Sequence, residues 1–417
     1  MCMFHKYNSN DYMRYSSYLR LILVDNYFLL TTFAALVLLF TGKSYVGYIL
    51  TPFMLYGCAF SCKIKKSDFW MNVFFALLLL GIFLSWVINE FAYQEILIVR
   101  CLGSEVAFMM AYFIGCSLKD DEYDNLFQKC LKPVAILSVI GIYLFLFPPQ
   151  WYLDRMSHLG EEEITLEDQR MKSIFSSPYI LSYISCILLT YVLFRIFQYG
   201  EPFKKYRYYI LLHVVTLLLC MQRAPLGGAV VGFGGAILYY AVKYQRLSVL
   251  VRSLFLSLVL LLSTYFFISN SKDERVGYLR YKIESVIYND ETDFAESRYN
   301  ISYMEVRHSL LGDGAGRHAA WAGKYHSTNM PDGQYKKVMQ ERGDIGFAIF
   351  VIFLALVFLK CVIYVRYLCF ELCIMIFLLV SMIGANPLTQ IHPYLFWLIM
   401  GRVSAFRPAR VKMMCRH

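Results

Sequence analysis

The stretch 344-DIGFAIFVIFLALVFLKCVIY-364 carries only two charged residues, Asp344 near its start and Lys360 near its end. As a helix it is about 30 Å long, which matches the hydrocarbon thickness of a bilayer. A segment this apolar has no water to satisfy its amides, so it must close its own hydrogen bonds as a membrane-spanning helix. The same pattern recurs across the chain and sets its class. Downstream it predicts helices over Leu368–Ile383 and His392–Gly401. Upstream, beyond a polar interval from Ser269 to Gly343, it predicts nine more: Leu19–Phe40, Tyr45–Cys62, Phe69–Val87, Glu95–Leu118, Pro133–Phe147, Tyr179–Phe197, Tyr208–Met221, Pro225–Val242 and Ser248–Ile268.

The expected molecule is therefore an all-α polytopic membrane protein of about 12 transmembrane helices, with a large folded external loop between helices 9 and 10. Residues 1–268 hold the first nine helices and an external loop at 149–177. Residues 269–343 form the large loop, 344–401 the last three helices, and 402–417 a basic tail. Composition agrees: 58% of residues are hydrophobic and 17% charged, against about a quarter charged in soluble domains. The start Met-Cys-Met-Phe-His-Lys lacks the short apolar region and small-residue cleavage site of a removable signal peptide.

A net charge of +10 invites a nucleic-acid reading, which the distribution argues against. The basic residues fall in short clusters between apolar runs, as the positive-inside tendency requires. Lys6, Arg14 and Arg20 lie before or at the start of the first helix; Lys63, Lys65 and Lys66 follow the second; Lys204, Lys205 and Arg207 follow the sixth. Lys243 and Arg246 follow the eighth, and Arg402, Arg407, Arg410, Lys412 and Arg416 the last. Acidic segments, among them Glu161–Glu163 with Glu167 and Asp168, fall between them. Both termini are then cytoplasmic and both long loops external, in a plasma membrane. None of the twelve cysteines lies in the two long polar segments, and no Cys/His cluster has zinc spacing.

The polar interval reads as folded. Tyr278–Ile287 has helix-like apolar spacing and Asp290–Arg307 forms a second amphipathic stretch. Arg223, in Met221-Gln-Arg-Ala-Pro-Leu-Gly-Gly228, sits where the seventh helix meets the external face. One reading is an arginine snorkelling at a helix end. The other is a guanidinium fork for an anion, since the positive-inside tendency leaves few arginines outside. Arg170 and Lys172 are solvated loop charges or, together with Arg223 and Arg298, an anion clamp. Gly312, Gly314 and Gly316 form a Gly-x-Gly-x-Gly string with no strand before it and no Walker sequence anywhere, so nucleotide binding is rejected. Asp332, Glu341, His318 and His326 supply carboxylates and imidazoles near the last part of the loop. Within the helices Asp25, Arg100, Glu105, His213 and Glu371 need partners or a polar cavity, and Arg100 with Glu105 reads as a structural ion pair.

Over Arg170 to Gly346 the chain resembles the O-antigen polymerase and O-antigen ligase superfamily. The resemblance rests on Arg170 with the Phe-Ser-Ser-Pro string ending at Pro178, on Arg223, on Arg298 ahead of Gly312 and Gly314, and on the spacing Asp332-Gly333, nine residues, Gly343, two residues, Gly346. Ligases of that superfamily carry histidine where Asp332 stands, which favours a polymerase. The resemblance implies a GT-C-like membrane glycosyltransferase that uses undecaprenyl-pyrophosphate-linked glycans as donor and acceptor. It further implies no metal or cofactor, and a chain-length regulator as a candidate partner. Arg223, Arg298 and Asp332 would then be catalytic; Arg170, Lys172, Gly312, Gly314, His326 and Glu341 would bind substrate. Alternatives are a ligase of the same fold and a lipid-linked oligosaccharide flippase.

Overall fold

The computed structural model describes residues 55, 56, 59, 68–89, 95–159, 171, 178–220, 222–243, 266, 270, 309–318, 333–388 and 394–407. Among these the regular structure is entirely helical. The first, second and ninth predicted helices and the amphipathic stretches of the long polar interval lie almost wholly outside the described residues, as does the basic tail after Arg407.

In chain order the helices are α1 (Phe69–Ile88); α2, in pieces Glu95–Cys101, a π-helical turn Leu102–Val106, Ala107–Met109 and Ala111–Ser117; α3 (Asp120–Leu146); and α4 (Gln150–Leu159). Then come α5 (Pro178–Phe197), α6 (Phe203–Cys220), α7 (Arg223–Lys243), α8 (Gln334–Ile363), α9 (Val365–Gly384) and α10 (Tyr394–Ala405). Five of these, α1, α3, α5, α8 and α9, are long and apolar enough to cross a membrane. The protein is a helical membrane protein.

Most boundaries follow the apolar runs, but α3 does not. The apolar run predicts a helix only over Pro133–Phe147. The helix instead begins at Asp120 and carries Pro133 inside. Asp120, Asp121 and Glu122 favour the positive end of the helix dipole, and the Lys119 amide donates to the Glu122 carboxylate at 2.9 Å. Tyr123, Leu126, Phe127, Cys130 and Leu131 then bury one face of the added turns. An amphipathic start is invisible to a search for unbroken apolarity.

Small residues set how closely the helices approach. A Cβ on Gly115 of α2 would overlap the Leu398 carbonyl of α10, and one on Gly401 of α10 would overlap the Tyr112 carbonyl of α2. Cys116 Sγ reaches the Gly401 carbonyl at 3.3 Å, and the Tyr112 hydroxyl donates to Asn72 Oδ1 (2.9 Å) while it accepts from the Ser404 hydroxyl (2.8 Å). Backbone-to-backbone contact of this kind is how helices gain packing energy in lipid, where apolar side chains gain little by leaving the tails. On α7, Gly228 faces Phe377, Gly232 faces Thr190 and Gly235 faces Cys373, so α7 lies against both α5 and α9.

The helices define two ends. At one, the Asp68 amide donates to the Ser404 carbonyl (3.0 Å), Lys360 Nζ to the same carbonyl (2.9 Å), Arg195 to Asp124 (2.8 Å) and Arg402 to Asp120. The opposite end carries the final turn of α1, the starts of α7 and α8, the end of α9 and residues 309–318.

Candidate functional site: a buried ion cluster under a glycine turn

Two described pieces of the long polar interval, 309–318 and 333–343, meet at this second end. α8 is two helices joined at a kink: a polar one from Gln334 to Arg342 and the apolar span after it, separated by Gly343 at φ +67°, ψ −172°. Such a break leaves the last carbonyls of the polar half without their usual partners. The turn 309–318 supplies them. The Asp313 amide donates to the Gln340 carbonyl (2.8 Å) and the Gly314 amide to the Glu341 carbonyl (2.9 Å), while the Asp344 and Ile345 amides return bonds to Ser309 (3.0 Å) and Leu310 (3.3 Å).

Gly312 (φ +71°), Gly314 (φ +104°) and Gly316 (φ +84°) all have positive φ, which side-chain-bearing residues rarely adopt. A Cβ on Gly312 would overlap the Arg342 and Gly343 backbone, and one on Gly343 the Ser309 and Leu310 backbone. Turns of this shape often gather amides around an anion. Here the anion is internal: Glu341 accepts from the His318 amide at 3.0 Å and from the Gly316 amide.

Helix α1 seals the far side of the turn. Trp86 Nε1 donates to the Ala315 carbonyl (3.0 Å), Ser85 Oγ accepts from the Ala315 amide (3.0 Å), and Asn89 reaches the Gly312 carbonyl (3.3 Å). Beneath it, Lys337 bonds Glu105 and lies 3.6 Å from Glu341. Glu105, Lys337 and Glu341 are 3%, 1% and 1% exposed. Buried this deeply, opposite charges hold only as a set, since removing one leaves another unpaired in a low-dielectric interior. Glu105 projects from the π-helical turn of α2; such turns re-aim side chains and recur at functional sites. The Glu105 partner is thus Lys337, 232 residues away, and not Arg100.

The other expected site residues divide by placement. Arg223 is the first residue of α7. Gly228, just inside that helix, lies on Phe377 of α9; Tyr335 donates to the Leu379 carbonyl of α9 (3.1 Å) and the Gln334 amide to Ala385 (2.9 Å). The starts of α7 and α8 therefore share the last turns of α9. Met171 is pinned to the end of α6, its amide 3.1 Å from the Leu219 carbonyl and its own carbonyl 3.2 Å from Cys220 Sγ. Gly312 and Gly314 form the turn, and Glu341 lies under it. Arg170, Lys172, Arg298, His326 and Asp332 lie outside the described residues. Among the described residues no three His, Cys, Asp or Glu side chains gather as metal ligands.

Sequence reasoning missed Lys337, Arg342, Ser85 and Trp86. The i, i+4 spacing of Lys337 and Glu341 is the one signal that pointed to an ion pair. No protein-family model matches the chain, and no curated protein matches it in sequence.

Proposed function

We propose that the protein joins undecaprenyl-pyrophosphate-linked oligosaccharide repeat units into a surface polysaccharide, at the external face of a bacterial plasma membrane. The observation that carries this reading is the convergence at one end of the bundle: the folded turn 309–318, the polar half of α8 and the helix start bearing Arg223 share one platform. A flippase would instead spread its cations along a central cavity.

In this reading the chain has about twelve spans in a GT-C-like arrangement and both termini in the cytoplasm. The bond between the donor's anomeric carbon and its pyrophosphate oxygen breaks, and a bond to an acceptor hydroxyl oxygen forms. The hydroxyl proton passes to Asp332, and the electron pair leaves with undecaprenyl pyrophosphate. Arg223 and Arg298, with Arg170 and Lys172, bind the charge that develops on the leaving group, the kind of preorganised electrostatic stabilisation that contributes most to many enzymes. Polymerase is preferred to ligase because Asp332 stands where ligases of the resembled superfamily carry histidine.

The test is the lipid-linked pool of a deletion strain. Single repeat units, on the carrier or capped onto an acceptor, with long chains absent are expected; long chains stranded on the lipid would assign a ligase. Arg223→Ala should reproduce the deletion while the protein accumulates normally, and Lys should rescue poorly because a point charge does not replace a bidentate fork.

A further inference from the structure

Arg342 is the last residue of the polar half of α8, immediately before the Gly343 break, and is 8% exposed. Its Nε is buried with no hydrogen-bond partner. Among the described residues nothing accepts a hydrogen bond from its guanidinium or stands within ion-pair distance of it. Glu341 and Cys101 are near enough to feel its charge, but the Glu341 carboxylate is already committed to two amides and to Lys337. An arginine this buried normally has its donors matched, because leaving a buried ion without a partner is costly.

We propose that Arg342 binds a carboxylate of the glycan substrate, so that the repeat unit handled here contains an acidic sugar. Charge decides the ligand class. Lys337 already lies against both Glu105 and Glu341, so two carboxylates stand close to the site that Arg342 offers. A carboxylate adds one negative charge, whereas a phosphate or pyrophosphate adds about two or more and meets both buried glutamates. Geometry points the same way, since a single guanidinium fork matches one carboxylate through two parallel hydrogen bonds. The position is suitable too. Arg342 stands beside the 309–318 turn, at the end of the bundle where α7 begins with Arg223. The inference rests on the glycan-polymer reading for the identity of the carboxylate's carrier; the carboxylate site itself does not.

The test uses the full chain in detergent micelles, with methyl glucuronide as probe and its methyl ester, methyl glucoside, inorganic phosphate and inorganic pyrophosphate as comparisons. Thermal unfolding is followed as each is titrated. Methyl glucuronide should raise the melting temperature of the wild type, while its ester and the glucoside should not. Arg342→Gln should abolish the shift. Arg342→Lys, which keeps the charge and guards against a Gln variant that fails to fold, should weaken binding about tenfold or more. Equal shifts from glucuronide and ester, an unchanged affinity in Arg342→Lys, or an Arg342-dependent shift produced by phosphate or pyrophosphate rather than glucuronide would each overturn the proposal. Glucuronide binding lost in Arg342→Lys while the deletion strain strands long chains would leave the carboxylate site standing and remove only the polymerase reading.

Discussion

Lys337 is the residue on which the site end depends most. It is the only cation bonded to Glu105 among the described residues, and it joins α2 to α8 in a region with almost no solvent. Lys337→Met should lower stability by about 3–5 kcal/mol, the usual cost of leaving one member of a buried ion pair without its partner. Adding Glu105→Gln to that variant should recover part of the loss, since an amide needs no counter-ion. Thermal unfolding in micelles of both single variants and the double variant measures this; a double variant as unstable as the sum of the two singles would show that the pair does not interact. Neither the partner nor the depth was legible in sequence. Glu105 was recognisable as a membrane carboxylate needing company, but Arg100 was nearer in the chain, and only the π-helical turn shows which way the carboxylate points.

Among the elements, α2 and α10 form the tightest crossing, built on Gly115 and Gly401. Gly401→Val should prevent the backbones from meeting and abolish accumulation of folded protein. Gly81→Ala in α1, where an added Cβ meets nothing within 4 Å, should be neutral or stabilise by about 1 kcal/mol through helix propensity. Gel-filtration profiles of the two variants distinguish these outcomes, and a well-behaved Gly401→Val protein would show the crossing to be dispensable. The elements were the most legible level. Apolar length alone located nearly every described helix, because lipid forces an unbroken hydrogen-bonded helix wherever the chain is apolar. It failed where polarity was mixed: at the start of α3, and at the polar half of α8, whose lysines and glutamate look solvated in sequence and are buried by a turn in the fold. The Gly312–Gly316 string was legible as a turn, but not what it meets. Its amides answer the carbonyls of a helix that Gly343 interrupts.

At the scale of the whole molecule, charge and fold agree on two unlike ends. Arg195, Lys204, Lys205, Arg207, Lys243, Lys360, Arg366 and Arg402 gather at the end opposite the glycine turn, where the positive-inside tendency would place the cytoplasm. Single cysteines at Lys205 and at Leu310, the latter 68% exposed on the turn, test this in a cysteine-free background. An impermeant thiol reagent applied to intact spheroplasts should label Leu310→Cys and spare Lys205→Cys; the reverse pattern would invert the molecule and move the site to the cytoplasm.

The glycine turn also bears on the order in which the chain is assembled. His318 and Glu341 are 23 residues apart, while Ala315 and Ser85 are separated by 230 and Lys337 and Glu105 by 232. Closing the short loop costs little chain entropy compared with the long ones. The turn and the helix it caps can therefore come together as one local unit soon after both have been synthesised, carrying Glu341 already committed to its amides. α1 and α2, made much earlier, then receive a finished wedge, and the bonds to Ser85 and Glu105 close only when that wedge meets them.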